Sequence, residues 1–236
     1  MKRQVDVNEL LAESRDLLDQ IQTTYIEAET SEEIVRVARP KVKSCLEHLR
    51  SSLDYIAKDL SEHTKSEKTP RNVYFPYGKN QKIYHQALEK NLPDLNEDFR
   101  LIIESIQPHK IMNNWLLHLC KTTNFNKHTE LQEQERHNSP ESTTSIGNLI
   151  QLGSASSLTI GTMYVDGKHI NPKGPLELKG DKPIAEIRDE LDIEILIERK
   201  YEWVKFILKG TQIDILSLLT HAQSEIQIMS DRIYSV

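Results

Sequence analysis

The sequence predicts an α+β protein, mainly a helical bundle, with a small antiparallel β-sheet inserted before a C-terminal helix. Three observations predict it. Apolar residues recur at helical spacing through most of the first 136 positions. Between Leu149 and Leu208 the pattern shortens towards a period of two. A last stripe of Ile215, Leu216, Leu219, Ala222, Ile226, Met229 and Ile233 restores the helical period. The organisation expected is one domain over 1–236, with a helical portion at 1–136, a β portion at 146–210 and a closing helix at 211–236.

Val7 to Ala28 carries Val7, Leu10, Leu11, Leu17, Leu18, Ile21 and Tyr25 on one face, which predicts the first helix. Thr30-Ser31-Glu32-Glu33 has the form of a capping box and predicts a second helix over about 31–62, bent or restarted at Pro40. Its stripe of Val42, Cys45, Leu46, Leu49, Leu53, Ile56 and Leu60 makes an antiparallel partner for the first. Short helices follow at 81–90 and 94–106, and Asn113 to Arg136 is expected to be one central helix. His137 to Ser145 is polar and predicts a mobile loop. Leu149–Leu152, Ser157–Val165 and Lys168–Ile170 are β-like, with a hairpin turn at Asp166-Gly167. Leu191, Ile193, Ile195 and Ile197 alternate with polar residues, and Val204, Phe206 and Leu208 form another strand ending at Gly210. Thr211 is expected to cap the closing helix.

A 37% hydrophobic and 28% charged chain is globular rather than disordered. The longest apolar runs, Ile111–Leu119 and Ile213–Leu219, are too short to span a bilayer, so no membrane partner is expected. The first residues lack the apolar core of a signal peptide, and Cys45 and Cys120 read as buried thiols of a reducing compartment; both point to the cytoplasm. The net charge of −6 argues against a general nucleic-acid coat. Two stretches nevertheless lack acids altogether, Lys68–Leu88 and Ser105–Thr129.

In the second stretch Asn114, His118, Lys121, Asn124, Phe125 and His128 fall on one arc of the central helix. Such an arc on a helix otherwise buried has to find partners. Catalytic candidates are His128, Asn124, Lys121 and Arg50: a histidine to shuttle a 2′-hydroxyl proton and cations to stabilise phosphorane charge. The structural alternative has Asn124 and His128 bonding loop carbonyls and Arg50 pairing with Asp54. In the first stretch Lys68, Arg71, Tyr74, Tyr77, Lys79 and Lys82 are ligand-binding candidates, suited to stacking on bases and meeting phosphates. The alternative there is aromatics pinning a loop to the core. His221 and Glu225 lack further ligands, and there is no phosphate loop, nucleophile elbow or HExxH, so neither metal nor cofactor is expected.

Leu49-Arg50-Ser51-Ser52-Leu53-Asp54-Tyr55, Phe75-Pro76, Gln107-Pro108-His109 and Asn124-Phe125-Asn126-Lys127-His128 resemble a set of uncharacterised bacterial and phage proteins. Their motifs run LRSxLDH, FPI, QPY and NxDKHR in the same order, ahead of a β-rich stretch and a closing helix. Tyr55, Asn126 and Thr129 stand here where those motifs have His, Asp and Arg. More distantly, the helical half looks like a HEPN-type bundle, a superfamily that includes RNA-cleaving toxins and defence proteins. Its nucleases place an Arg four to six residues before a His; here Lys121 or Asn124 with His128 is the nearest match. The resemblance implies a HEPN-like binding or interaction protein of phage or mobile-element type, acting in host–phage conflict. Two alternatives stand beside it: a metal-independent ribonuclease built on His128, and a structural homo-oligomer associating through its first helical pair. RNA, a nucleotide or a protein is the expected partner, and a homodimer the expected assembly.

Overall fold

The computed structural model describes residues 1–68, 70–165, 167–169, 171, 174–191 and 195–236. It is an α+β structure. α1 (Gln4–Ala28) and α2 (Arg39–Thr64) run antiparallel, with the Arg3 amide donating to Asp59 Oδ2 at 2.9 Å and Cys45 Sγ to the Ser14 carbonyl at 3.5 Å. The predicted capping box does not form. Thr30 Oγ1 donates back to the Glu27 carbonyl, and residues 31–38 are not helical. Arg136 supplies a reason, since its guanidinium binds the carbonyls of Ala28, Ser31 and Ile34 at 2.6–2.8 Å and takes up acceptors that a helix would use. Pro40 then lies in the first turn of α2, where its missing amide costs nothing, so it starts the helix instead of bending it.

α3 (Gln81–Asn91) and α4 (Glu97–Ser105) are each capped by an asparagine, Asn80 and Asn96, whose side chains accept from Ile83 and Phe99 amides at 3.0 Å. The short α5 (Pro108–Ile111) leads to α6 (Trp115–His128). α6 is shorter than the predicted helix to Arg136. The Gln132 amide donates to Asn126 Oδ1 at 2.9 Å, which turns the chain out of the helix after Thr129.

Among the described residues nine strands follow: β1 (Gln134–Asn138), β2 (Ser142–Ile146), β3 (Ile150–Gly153), β4 (Ser157–Ile160), β5 (Tyr164–Val165), β6 (Lys168–His169), β7 (Leu176–Lys179), β8 (Ile197–Tyr201) and β9 (Val204–Leu208). The expected single sheet is four small ones among the described residues: β1 with β9, β3-β2-β8, β4 with β7 and β5 with β6. The polar loop predicted at 137–145 is mostly strand. β-branched Thr143 and Thr144 pair with Lys200 and Arg199 on one side and with Gly153 and Leu152 on the other. β7 and α7 (Ile184–Glu190) were not foreseen. Of the predicted alternating strand, residues 192–194 lie outside the described set, as do Asp166 and Ile170 of the predicted hairpin.

α8 (Ile215–Ser235) closes the chain. Its N-cap is Asp214, which accepts the Ser217 amide at 3.0 Å; Thr211 instead donates to the Leu208 carbonyl at 2.6 Å and shapes the turn after β9. The chain forms two compact units, one of residues 1–22, 36–135 and 206–236, the other of 23–35 and 136–205. In the first, α2, α6 and α8 pack on one another around Leu49, Leu53, Ile56, Leu116, Leu119, Leu219 and Ile226, all fully buried. In the second, Ile146, Leu152, Leu176, Leu178, Ile187, Leu191 and Ile197 form a separate core, beside which buried Arg199 donates to Thr144 Oγ1 at 2.9 Å. Among the described residues no helix is long and apolar enough to cross a membrane.

Candidate functional site

Arg50 lies on α2 and points into a network. Its guanidinium is 3.1 Å from Asp54, 2.8 Å from Cys120 Sγ on α6, and 5.3 Å from the centre of the Tyr77 ring. Asp54 also accepts the Phe75 amide at 2.9 Å. Gln107 completes the hold on the same loop, accepting from the Gly78 amide at 3.3 Å and donating to the Pro76 carbonyl at 3.1 Å. The backbone at Gly78 runs against α3, where a Cβ would come within 2.3 Å of the Tyr84 nitrogen, so only glycine fits. Three of the motifs noted in the sequence therefore meet in one place, and there they fasten residues 75–78 to α2 and the α4–α5 junction. Burial pushes the Cys120 thiol up to about 11 despite the nearby guanidinium, so it serves Arg50 as a neutral acceptor.

The polar arc of α6 turns outward. Lys121, Asn124, Lys127 and His128 are exposed, and the buried polar residues of the helix are Thr122, Thr123 and Asn126. Solvent, not protein, satisfies the arc, contrary to the expectation that it needs internal partners. Among the described residues the side chains of Asn124 and His128 make no hydrogen bond, with each other or elsewhere. The four catalytic candidates are thus not gathered: Arg50 is in the internal network, Asn124 and His128 are on an exposed face, and Lys121 borders a groove.

That groove, of about 550 Å³, belongs to the first unit. α6 contributes His118, Lys121, Thr122 and Phe125 to it, and Gln132 with the turn Thr211–Ile213 lies opposite. Local bonds fix both borders. The Asn126–Gln132 bond returns the chain beside α6, and the Leu208 amide donates to the Ile213 carbonyl at 2.9 Å to close the 211–213 turn. Lys121 has no ion-pair partner among the described residues, and no carboxylate lines the groove. Burial, and secondarily the Lys121 charge, lowers the His118 pKa from its ordinary value near 6.5, which keeps the imidazole neutral at physiological pH.

A recess of about 200 Å³ shares His118, Gln212 and Ile213 with the groove. Trp115 and His221 line it, their rings 5.9 Å apart in an edge-to-face arrangement at 74°. Trp115 Nε1 and His221 Nε2 are both buried, and neither has a hydrogen-bond partner among the described residues. Asp214, the carboxylate at this recess, is engaged as the α8 cap through the Ser217 amide and hydroxyl.

The ligand-binding candidates of the first acid-free stretch divide likewise. Tyr77 is half-buried under Arg50, while Tyr74 is 55% exposed above an amide bonded to Asn91 Oδ1 at 3.1 Å. Arg71, Lys79 and Lys82 are exposed, and Lys68 reaches Asp94 at 3.4 Å. Among the described residues no three His, Cys, Asp or Glu side chains gather as a metal site. Sequence reasoning found Lys121, His118 and Phe125 on one arc but missed Trp115, His221 and the 211–213 turn as their neighbours. Those contacts join positions about a hundred residues apart and leave no local pattern. No protein-family model matches the chain, and no curated protein or solved structure is significantly similar to it.

Proposed function

We propose that the chain is a HEPN-like binding protein of phage or mobile-element type, acting in host–phage conflict, and that it holds a nucleotide in the α6 groove. The observation carrying the ligand assignment is the meeting of Lys121, which has no ion-pair partner among the described residues, with the exposed ring of Phe125 in one groove that adjoins a recess. A lysine ammonium suits a phosphate, an aromatic ring suits a base, and about 550 Å³ falls within the ordinary range of small-molecule sites. The acid-free window around Lys121 supports an anionic ligand. The likeness of the helical half to HEPN bundles supports the same class. A ribonuclease built on His128 has less support, because Arg50 is held by Asp54 and Cys120 and nothing among the described residues orients His128.

Calorimetric titration with UMP and AMP tests this proposal. Lys121→Ala and Phe125→Ala should each weaken binding by about tenfold, the equivalent of one charge-assisted contact or one stacked ring, with His128→Ala close to wild type. Absence of binding to either nucleotide defeats the proposal. Cleavage of labelled single-stranded RNA that disappears in a folded His128→Ala variant would replace it with the ribonuclease.

A further inference from the structure

His118 and Lys121 both line the groove and stand three residues apart on α6, a spacing at which side chains are neighbours on the helix surface. The lowering of the His118 pKa by the Lys121 charge reports the same closeness. Phe125 follows Lys121 by four residues, about 6 Å further along the axis. A nucleotide stacked on the Phe125 ring therefore directs its phosphate towards the turn of His118 and Lys121, with the ribose between. Lys121 is exposed there and His118 half-buried. Across the groove Gln132, Thr211, Gln212 and Ile213 carry no charge. The other titratable groups about His118 are Asp214 and His221, which line the adjoining recess; Asp214 is held by the Ser217 amide and hydroxyl. An anion at this turn thus meets one fixed positive charge and one imidazole that supplies a second when it takes up a proton. A phosphate monoester, with its second pKa at about 6, carries close to two negative charges at neutral pH. A diester inside a nucleic-acid strand carries one per phosphate.

We propose that His118 and Lys121 form a clamp for a terminal phosphate monoester, closed by uptake of one proton at His118. Resting on the assignment of the groove to a nucleotide, the clamp selects a mononucleotide over the interior of a nucleic-acid strand. The proton comes from solvent, and the complex pairs the phosphate dianion with the imidazolium and the Lys121 ammonium. In the free protein the lowered His118 pKa leaves the ring neutral at pH 7, so the proton arrives with the ligand and not before it. Binding and protonation are then linked. Affinity rises as the pH falls from 8, until the phosphate takes its own second proton at about pH 6.

Calorimetric titration at pH 7 in two buffers of different ionisation heat, neither of them phosphate, measures affinity and proton uptake together. The probes are UMP, AMP, the methyl ester of UMP at its phosphate, and inorganic phosphate. UMP should bind about tenfold more tightly than its methyl ester, with net uptake of a proton fraction that vanishes in His118→Asn. His118→Asn should also narrow the ratio to about threefold, whereas Phe125→Ala should weaken both ligands alike and leave the ratio unchanged. Equal affinities for UMP and its methyl ester, or UMP binding without proton uptake, overturn the clamp and leave the nucleotide seat standing. Uptake that persists in His118→Asn likewise overturns it, since the proton then lies elsewhere. Inorganic phosphate bound with the same uptake, while neither UMP nor AMP binds, overturns the nucleotide seat and leaves the clamp standing. Binding of none of the probes overturns both. The wild-type ratio and uptake decide the matter even where His118→Asn does not fold.

Discussion

Asp54 Oδ1 accepts the Phe75 amide at 2.9 Å while lying 3.1 Å from the Arg50 guanidinium. One carboxylate oxygen thus anchors a loop 21 residues away and balances a cation whose side chain is 15% exposed. Asp54→Ala removes both at once, leaving an amide unmet and a largely buried charge uncompensated. The expected loss is about 2–4 kcal/mol, below the full figure for a buried pair because the site is partly open. Asp54→Asn keeps an acceptor for Phe75 and should lose roughly half as much. Urea denaturation of the two variants decides. Equal and small losses would mean that the loop is held by Gln107 alone.

This network also marks how far the sequence could be read. The i, i+4 spacing of Arg50 and Asp54 announced their pairing, and Phe75-Pro76 announced an extended loop. Nothing local announced Cys120 as the third member, because its apolar neighbours hide one thiol among leucines. The long helices were legible because burial imposes a 3.6-residue period on them. Their ends were less so: Thr30 and Thr211 look like caps, yet Arg136 takes up the carbonyls around Thr30 and Asp214 caps α8, and both act through particular contacts. β7 escaped notice because Leu176-Glu177-Leu178-Lys179 is too short to show an alternation against background. The groove was half visible, as an arc without acids; its opposite border comes from 211–213.

Both thiols should be inert while the protein is folded. Burial pushes Cys45 up to about 12 and Cys120 up to about 11, so at pH 8 neither carries an appreciable thiolate fraction. Reaction with a chromogenic disulfide should proceed only as fast as the chain unfolds, and two thiols should then react in guanidinium. A Cys45 that reacts quickly in the native protein would contradict its burial beside Ser14 of α1, and a reactive Cys120 its burial beside Arg50 of α2. Arg50→Met removes the cation that holds the Cys120 pKa down, and should raise it further.

His118 should titrate below its ordinary value near 6.5, with burial as the larger cause and Lys121 as the lesser. Lys121→Ala therefore moves the pKa upward without restoring 6.5, as proton NMR of the imidazole Cε1–H can follow. The sign of the linked stability is fixed by this direction. The unfolded chain takes up the proton first, so the contribution is complete above the unfolded value near 6.5 and is lost as the pH falls through the folded value. A titration at or above 6.5 would mean that the imidazole is wetter than its place between groove and recess allows.

Ser14 and Gln223 make a buried polar link between α1 and α8: the Ser14 hydroxyl donates to Gln223 Oε1, and Gln223 Nε2 donates to the Leu11 carbonyl at 3.1 Å. Ser14 is fully buried and Gln223 is 6% exposed, so neither group has water to fall back on. Gln223→Leu fills the space but deprives the Ser14 hydroxyl of its side-chain partner, with the Leu11 carbonyl as its remaining acceptor at 2.9 Å. Ser14→Ala deprives Gln223 Oε1 in turn. Ser14→Ala should cost about 1–3 kcal/mol, the range for stranding one buried polar group, and Gln223→Leu about 1 kcal/mol, the loss of one hydrogen bond, because Ser14 keeps the Leu11 carbonyl. The double variant strands neither side chain, and its loss should fall short of the sum by 1 kcal/mol or more, ~1 kcal/mol being the typical coupling of contacting polar groups. Denaturant melts of the four proteins complete the cycle. Additive losses would show that the two side chains act independently of each other.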